Sequence, residues 1–316
     1  MSRSAPPRSI RLRRSVLSVP AINRRALGKI ASLDCDAVIF DLEDSVAPEK
    51  KAEARENLRI FFTDPPPADK EEAGKERIIR INSLSSGFGA DDLELVLALE
   101  PDAVLLPKID EPQDVTVVSD RLAEADAPES LRIWAMIETP RGILNAAAIA
   151  EAGRTPGSRL DCFVVGLNDL RKETGVLPQP GRAYLVPWLM QVVLAVSAYG
   201  LDAIDSVLND FKDMQALDAE CAEGRAMGFA GKMLIHPNQI DTANRHFGPD
   251  EAALAEAQAI IAAFADPAAA GLNVVNFGGR MVERLHLVQA ERLVHKARLI
   301  SERPLRLPAA APQDEG

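Results

Sequence analysis

Hydrophobic positions along the chain form short, almost continuous apolar runs that alternate with longer segments of helical periodicity. In the longer segments, such as 91–100 and 186–200, apolar residues recur every three or four positions and predict amphipathic helices. The short runs are apolar and often β-branched, which predicts strands covered on both faces. Eight such strands are predicted, at residues 15–20, 36–44, 76–83, 102–109, 132–140, 160–170, 202–207 and 231–237.

This alternation of strand and helix is typical of a closed parallel (β/α)8 barrel, the TIM barrel. An open doubly wound sheet is the alternative, but no Gly-x-Gly-x-x-Gly pattern follows the first predicted strand. We expect a disordered basic tail at residues 1–13 and a barrel over residues 14–245. Residues 246–316 then form a C-terminal helical extension, which we expect to pack on a neighbouring subunit.

Composition narrows the classes of protein to which this barrel can belong. The chain has 316 residues and a net charge of −11, so it has no general attraction for nucleic acid or an anionic membrane. No apolar run reaches the roughly 18 residues of a membrane helix. The three separated cysteines indicate neither a disulfide framework nor a zinc site, which favours a reducing cytoplasm. The arginine-rich start also resembles a transit peptide, so an organellar matrix is the alternative.

Charged residues collect at the carboxyl ends of the predicted strands. A TIM barrel carries its chemistry on the loops at that end, because the packed interior stops there. The candidates for a site are therefore the polar residues that end the runs, namely Glu43, Asp44, Arg80, Lys108, Glu138, Asp169, Asp205 and His236. His236 stands beside a proline, and we expect it and Asp205 to anchor loops.

Glu138 and Asp169 end the fifth and sixth predicted strands, which in a sheet are neighbours about 4.8 Å apart. Two carboxylates at that separation repel each other unless a cation lies between them. Magnesium takes one or two carboxylates and leaves its other positions to water and substrate, so the pair predicts a Mg²⁺ site. With only four histidines in the chain, zinc and non-haem iron are disfavoured. The alternative is that both acids cap the helices that follow them.

Eight segments between residues 14 and 300 together resemble one protein family. They are RSVLSVP, DAVIFDLEDSVAPEKKAEAR, IRIN, LLPKI, IETPRGILNAAAIA, VVGLNDL, GFAGKMLIHPNQI and GGRMVE, in this order. The chain is similar to the citrate lyase beta-subunit-like family of the HpcH/HpaI aldolase superfamily, which includes malyl-coenzyme A lyases and related thioesterases. The resemblance implies a TIM barrel, Mg²⁺, a homotrimer or hexamer, and cleavage or formation of a carbon–carbon bond beside a thioester.

The resemblance also assigns roles to the acids and to one arginine. Glu138 and Asp169 match the family's metal ligands, and Glu43 and Asp44 match acids that hold metal-bound waters. Arg80 matches an arginine that grips the carboxylate or carbonyl oxygen of the substrate. A planar set of donors that stays charged suits this task.

Further residues match the substrate-binding part of the family pattern. Lys51 and Arg55 match basic residues near the phosphates of the thioester carrier. As i and i+4 on a predicted helix they share one face, and a solvated helix face is the alternative. Pro140, in the IETPRG segment, belongs to the same predicted substrate-binding set.

The chain departs from the family pattern at two positions. Glu283 in GGRMVE stands where a Gly-x-Met-x-Asp pattern has a catalytic aspartate, which reaches over from a neighbouring subunit. One extra methylene moves a carboxylate by about 1 Å, and a misplacement of that size can cost about 100-fold in rate. Ala21 in VPAIN stands where the family usually has a glycine that permits close approach of the carrier.

The resemblance and the chemistry of these residues together imply a Claisen-type lyase that cleaves a malyl-, citramalyl- or citryl-like 3-hydroxyacyl thioester into an acyl thioester and a 2-oxo acid. Coenzyme A and an acyl-carrier protein both remain open as the carrier. Three alternatives stay open: a thioesterase of the same family, a non-catalytic subunit that binds oxo acids, and a class I aldolase that forms an imine on Lys108.

Overall fold

The computed structural model describes residues 10–63 and 74–302, in which eight parallel strands close into a barrel. The strands are β1 (Ser15–Pro20), β2 (Ala37–Asp41), β3 (Glu76–Arg80), β4 (Ala103–Leu106), β5 (Arg132–Ile137), β6 (Leu160–Val165), β7 (Asp202–Asp205) and β8 (Gly231–Leu234). Each strand pairs with its neighbours in sequence, and β1 also pairs with β8. The predicted TIM barrel is confirmed.

Helices connect the strands and cover the outside of the barrel. They are α1 (Arg24–Leu27), α2 (Lys51–Thr63), α3 (Gly89–Leu99), α4 (Pro112–Glu124), α5 (Pro140–Ala152), α6 (Leu167–Thr174), α7 (Val186–Tyr199), α8 (Met214–Met227) and α9 (Ile240–Phe247). None of the helices in the described residues combines the length and the apolarity that a membrane crossing requires.

Alternate residues of each strand face the barrel interior or the helix layer. The interior-facing residues form one apolar cluster, which consists of Val16, Ala37, Ile39, Ile78, Ala103, Leu105, Trp134, Met136, Cys162, Val164, Ile204 and Met233. The residues between them pack against the helices in a second, larger cluster. Because both faces are covered, the strand sequences are almost continuously apolar. All three cysteines are buried, and they form no disulfide bond with one another.

Most of the strands end a few residues before the predicted bounds. The predicted runs continued into polar residues such as Glu43, Lys108 and Asp169, but those residues lie in the loops and helix starts that follow the strands. The chain leaves the sheet as soon as the apolar pattern stops, since each loop must turn back into a helix. The candidate residues therefore lie above the packed interior, as expected for the carboxyl end of the barrel.

Arg13 belongs to the barrel and not to the predicted tail. Residues 1–9 lie outside the described residues, but the Arg13 side chain is only 2% exposed and is ion-paired with Glu76 at 2.7 Å and Asp202 at 2.9 Å. It also pairs with Asp161 and stacks over the Trp134 ring at 4.7 Å. Its partners stand at the amino ends of their strands, so Arg13 covers the end of the barrel opposite to the candidate site. The prediction that the tail extends through residue 13 is wrong at this position.

The residues after the barrel form a second compact unit. The units comprise residues 13–248, and residues 249–302 together with residues 10–12. The second unit contains α10 (Glu251–Ala265), the antiparallel hairpin β9 (Val274–Phe277) and β10 (Arg280–Glu283), and α11 (Arg284–Ser301).

The extension was predicted to be helical, and it contains two helices, but the hairpin was not predicted. Gly278 and Gly279 form its turn with φ of 57° and 80°, the left-handed backbone that a two-residue hairpin turn requires. Residues 303–316 of the extension lie outside the described residues. Packing of the extension on a neighbouring subunit stays a prediction.

Candidate active site

Four charged side chains stand together at the carboxyl end of the barrel. Asp41 is the last residue of β2, and Glu43 lies two residues later in the loop, where its backbone N–H donates to Asp41 Oδ1 at 2.9 Å. Arg80 on β3 is the register partner of Asp41, and Glu138 directly follows β5. All four are buried, with exposed fractions of 1% for Asp41, 5% for Glu43, 8% for Arg80 and 1% for Glu138. Burial of this many charges favours a site that is completed by a further charged group.

Arg80 makes its main contacts with Asp41. Its Nε donates to Oδ1 and its Nη2 to Oδ2, both at 2.6 Å. Burial acts to lower the pKa of the guanidinium, but Asp41 and Glu43 outweigh it and raise that pKa. Burial alone would raise the pKa of the Asp41 carboxyl, but Arg80 outweighs burial and holds this pKa below its ordinary value. Arg80 is thus a fixed cation at the mouth of the barrel, and its predicted grip on a substrate oxygen stays a prediction.

Glu43 is less completely paired than Asp41. Its Oε1 accepts a hydrogen bond from Lys108 Nζ at 3.2 Å. Its Oε2 lies 3.0 Å from Arg80 Nη1, but the angle is poor, and this buried atom has no hydrogen-bond partner among the described residues. Burial raises the pKa of Glu43, and the neighbouring Asp44, which is exposed, raises it further. Glu43 therefore keeps an acceptor for another donor, such as a water.

Glu138 is the most strongly perturbed acid of the group. Its Oε1 accepts a hydrogen bond from the backbone N–H of Lys108 at 2.9 Å. Lys108 has a φ of 51°, a left-handed backbone that is uncommon outside glycine. Burial, followed by the charge of Glu43, raises the pKa of Glu138 to about 8, and Asp169 adds to the effect. The two predicted metal ligands are therefore close enough to interact electrostatically.

Asp169 lies in the first turn of α6 and is half-buried. The residue before this helix, Gly166, leaves room for the other acid: a Cβ there would lie 2.5 Å from Glu138 Cβ and 2.6 Å from Glu138 Oε2. A side chain at position 166 would displace the Glu138 carboxylate. The structure thus brings Glu138 and Asp169 to the same edge of the mouth, as the sequence predicted.

The donor set suits a hard divalent cation that keeps water or substrate ligands. The residues that the structure describes contain no group of three or more His, Cys, Asp or Glu side chains arranged to hold a metal ion. A zinc site would require such a group, whereas Mg²⁺ binds through one or two carboxylates. The buried Glu43 Oε2 accepts no hydrogen bond among the described residues, so it can accept one from a water bound to the cation. The residues present therefore fit Mg²⁺.

Lys51 and Arg55 are both engaged within the protein. Lys51 is buried, and its Nζ donates to the carbonyl oxygens of Leu42 and Glu43, at 2.7 Å each, and to Asn82 Oδ1 at 2.8 Å. These bonds use all three donors of an ammonium group. Contact of Lys51 with carrier phosphates stays a prediction and would require one of these bonds to be exchanged.

Arg55 is paired with two aspartates of α3. Its Nη1 lies 2.9 Å from Asp92 Oδ1, and its Nη2 lies 3.0 Å from Asp91 Oδ2. Asp92 is fully buried, whereas the Asp91 side chain is 67% exposed. The Nη2 contact is thus the weaker one, and contact of Arg55 with carrier phosphates stays a prediction.

The other candidates in the barrel, Pro140, Asp205 and His236, belong to a helix start, a buried ion-pair cluster and a loop. Pro140 is the first residue of α5, where a missing N–H costs nothing. Asp205 is buried and pairs with Arg182 and Lys232, away from the interior cluster. His236 stacks on Phe211 at 4.5 Å and accepts from Asn238 N–H, in agreement with loop anchoring. Glu283 is exposed in the second unit, between β10 and α11, so its predicted catalytic role stays untested.

Sequence reasoning missed the role of Asp41. It was not among the predicted site residues, but it is the main partner of Arg80. The signal was present, because Asp41 and Glu43 share a two-residue period and Asp41 is the last residue of its strand. A strand pairing register was needed to connect it to Arg80.

A cavity of about 350 Å³ opens beside this cluster, between the loops that follow β3 and β4. Its lining includes Asn82, Ser83, Lys108 and Arg141, but neither Glu138 nor Asp169. The cavity therefore adjoins the acid pair through Lys108 and does not enclose it.

Comparison with known proteins places these observations in a family. The model of the HpcH/HpaI aldolase/citrate lyase family matches residues 14–237. The chain is 41% identical to the (3S)-malyl-CoA thioesterase of Cereibacter sphaeroides (strain ATCC 17023), covering 91% of this chain and 95% of that protein. It is 35% identical to the mitochondrial citramalyl-CoA lyase of Homo sapiens, covering 92% of this chain and 87% of that protein.

A solved structure agrees with the fold. The protein CitE of Mycobacterium tuberculosis, crystallised with magnesium, acetoacetate and coenzyme A, superposes with a TM-score of 0.68 at 29% identity, covering 90% of this chain and 97% of that one. The family match extends from the residue before β1 to the loop after β8, and so includes the whole barrel and its charged mouth. The chain belongs to the HpcH/HpaI aldolase/citrate lyase family.

Proposed function

We propose that this chain is a Mg²⁺-dependent carbon–carbon lyase, which reversibly cleaves a 3-hydroxyacyl thioester into an acyl thioester and a 2-oxo acid. The observation that carries the proposal is the placement of the Glu138 carboxylate, buried at the end of β5 and in contact with the start of the helix that bears Asp169. The 35% identical citramalyl-CoA lyase and the similar structure with magnesium, acetoacetate and coenzyme A support it.

The residues of the mouth have complementary tasks in this reaction. Glu138 and Asp169 would hold Mg²⁺, which supplies a Lewis acid that polarises the keto oxygen of the oxo acid. Arg80 places a permanent positive charge beside the oxygen that gains charge during cleavage. Asp41 fixes the plane of the guanidinium, so that this charge is oriented before substrate binds. Glu43 and Asp44 would hold water beside the cation, as the family pattern implies.

Cleavage requires a base that removes the hydroxyl proton of the thioester. The O–H electron pair then forms the carbonyl of the oxo acid, and the carbon–carbon bond breaks. Its electron pair passes to the carbon beside the thioester, which is protonated to release the acyl thioester. We assign the base to Glu283 of the partner subunit in a homotrimer or hexamer, on the family pattern.

A thioesterase is the second candidate, because a relative at 41% identity carries that name. Hydrolysis frees the carrier thiol, whereas carbon–carbon cleavage leaves it acylated. Measuring free thiol and 2-oxo acid in the same reaction therefore separates the two activities. Oxo acid without free thiol supports the lyase, and free thiol without oxo acid supports the thioesterase.

Imine formation on Lys108 is disfavoured by the structure. A lysine nucleophile must lose its proton, which a lowered pKa assists. Burial alone would lower the pKa of Lys108. The carboxylate of Glu43, 3.2 Å from Lys108 Nζ, outweighs burial and raises this pKa. Borohydride reduction with substrate, followed by mass analysis, tests this directly. A labelled Lys108 would overturn the proposed mechanism.

The proposed function is tested by a substrate panel. Acetyl- and propionyl-coenzyme A are combined with glyoxylate, pyruvate or oxaloacetate, with and without Mg²⁺. We expect condensation with one oxo acid, loss of activity on chelation, and a loss of at least about 100-fold in Glu138→Gln and Asp169→Asn. Glu129→Gln, an exposed acid before β5, is the control. Full activity in Glu138→Gln or Asp169→Asn would show that the changed residue has no part in the mechanism. Magnesium-dependent binding of an oxo acid by the wild-type protein, without turnover of any acyl thioester, would indicate a non-catalytic subunit.

A further inference from the structure

The helix that carries Asp169 begins without a capping side chain of its own. The residue before α6 is Gly166, and no side chain there bonds to the first turn. Serine, threonine, aspartate or asparagine usually fills this position. Any of them would place a Cβ 2.6 Å from Glu138 Oε2, so the acid pair itself requires glycine. Another part of the chain must therefore satisfy the start of α6.

Ser206, which follows β7, performs this task. Its side chain is buried, with 1% of the residue exposed, and its Oγ accepts a hydrogen bond from the backbone N–H of Leu167 at 3.1 Å. Leu167 is the first residue of α6 and stands two residues before Asp169. The hydroxyl thus holds the helix start from the neighbouring strand.

Ser206 is itself held by a buried carboxylate. Its backbone N–H donates to Asp205 Oδ1 at 2.8 Å. Arg182 Nη1 lies 2.8 Å and 2.9 Å from the two oxygens of Asp205, and Lys232 Nζ lies 3.2 Å from Oδ2. Asp205 is fully buried and therefore has little freedom to move. The position of the Ser206 hydroxyl is fixed by a charged cluster in the helix layer.

A second contact joins α6 to the same loop. Asn168, which precedes Asp169, exchanges two amide hydrogen bonds with Asn209, at 3.1 Å and 2.8 Å. Among the residues that the structure describes, none donates a hydrogen bond to the Asp169 carboxylate. Its position is consequently set by the helix backbone, which Ser206 and Asn209 hold from the side of β7.

We propose that Ser206 is a positioning residue that fixes the Asp169 carboxylate for the divalent cation, with Asn209 as a second contact. The proposal rests on the proposed function, in which Glu138 and Asp169 bind Mg²⁺. Residues that orient metal ligands typically change metal affinity by about 10- to 100-fold when they are removed.

The test is calorimetric titration of MgCl₂ into the full-length protein without substrate, after thermal unfolding has shown that each variant is folded. We expect Mg²⁺ to bind about 10-fold more weakly to Ser206→Ala and about 3-fold more weakly to Asn209→Ala. Ser206→Thr restores the hydroxyl and is expected to recover most of the affinity. Ser119→Ala removes another buried hydroxyl, which has no hydrogen-bond partner among the described residues. This variant is expected to bind Mg²⁺ with the same affinity as the wild type.

Wild-type affinity in Ser206→Ala would overturn the proposal, and so would a Ser206→Thr protein that binds as weakly as Ser206→Ala. An equal loss in Ser119→Ala would also overturn it, as a general effect of deleting buried hydroxyls. If Ser206→Ala does not fold, unchanged affinity in the exposed Asn209→Ala decides against the proposal. Glu138→Gln and Asp169→Asn are titrated in the same way. If both variants bind Mg²⁺ as tightly as the wild type, the proposed metal site itself is wrong. If they lose Mg²⁺ affinity while Ser206→Ala keeps it, only the positioning role of Ser206 is wrong.

Discussion

Arg80 and Asp41 form a two-point ion pair at the mouth of the barrel, with Nε to Oδ1 and Nη2 to Oδ2 both at 2.6 Å. The two residues are register partners on adjacent strands, so the sheet itself sets this geometry. The Arg80 charge is oriented in the protein before any ligand arrives.

Asp41→Asn should destabilise the protein by about 3 kcal/mol, because it deprives the buried Arg80 of its two-point partner and leaves only the Glu43 contact at 3.0 Å. Asp91→Asn, which removes an exposed partner of Arg55, should cost less than about 1 kcal/mol. Denaturant unfolding measures both. Arg80 lowers the pKa of Asp41 from its ordinary value of 3.8, so the stabilisation is present above pH 3.8 and is lost as the pH falls through the lowered pKa. An equal effect of the two variants at pH 7 would show that the Asp41 pair is no stronger than a surface pair.

Lys51→Met should lower the free energy of unfolding by about 2 kcal/mol, since it removes three buried hydrogen bonds and leaves Asn82 Oδ1 without a donor, whereas the carbonyls of Leu42 and Glu43 still accept from Asn82 Nδ2 and from Val46 N–H. The neighbouring Lys50 is exposed, and among the described residues its side chain bonds only to Glu53, at 2.7 Å. Lys50→Met should therefore leave the free energy of unfolding unchanged. The two proteins are compared by thermal unfolding and by the KM for the acyl thioester. A raised KM without any loss of stability would instead favour the carrier-binding role.

Gly166→Ala should weaken Mg²⁺ binding by at least about 10-fold, because its Cβ would meet Glu138 Cβ at 2.5 Å and displace the carboxylate. Gly87→Ala is the control, as no atom lies within 4 Å of the added Cβ. Titration of Mg²⁺ against both proteins checks this expectation. Unchanged affinity in Gly166→Ala would mean that the Glu138 carboxylate can move without loss of the metal site.

Glu283→Gln and Asp169→Asn should each be inactive but should complement each other when their subunits are mixed. If Glu283 acts across the subunit interface, about a quarter of the sites in a random mixture combine an intact barrel with an intact acid. Activity is measured before and after subunit exchange, and exchange is confirmed with tagged subunits. Absence of recovery in fully exchanged protein would rule out catalysis by Glu283 of a partner subunit.

The barrel and the place of its site could be predicted from the sequence because both depend on local pattern. Continuous apolar runs identify strands covered on two faces, and polar residues that stop such runs must lie where the packed interior ends. Glu138 and Asp169 were found in this way, as was the order of the strands. The hairpin at Val274–Glu283 was missed because its strands are short and mostly exposed, although Gly278-Gly279 is a turn signal.

The sequence alone determined which residues stand at the mouth, whereas only the tertiary structure decided which of them are paired. Arg80 contacts Asp41 because strand register aligns them, and Lys51 is occupied because the carbonyls at the end of β2 turn toward it. Arg13 is part of the barrel because Glu76, Asp161 and Asp202 converge from three strands. Partner choice depends on distances between residues far apart in the chain, and hydrophobic periodicity carries no information about them.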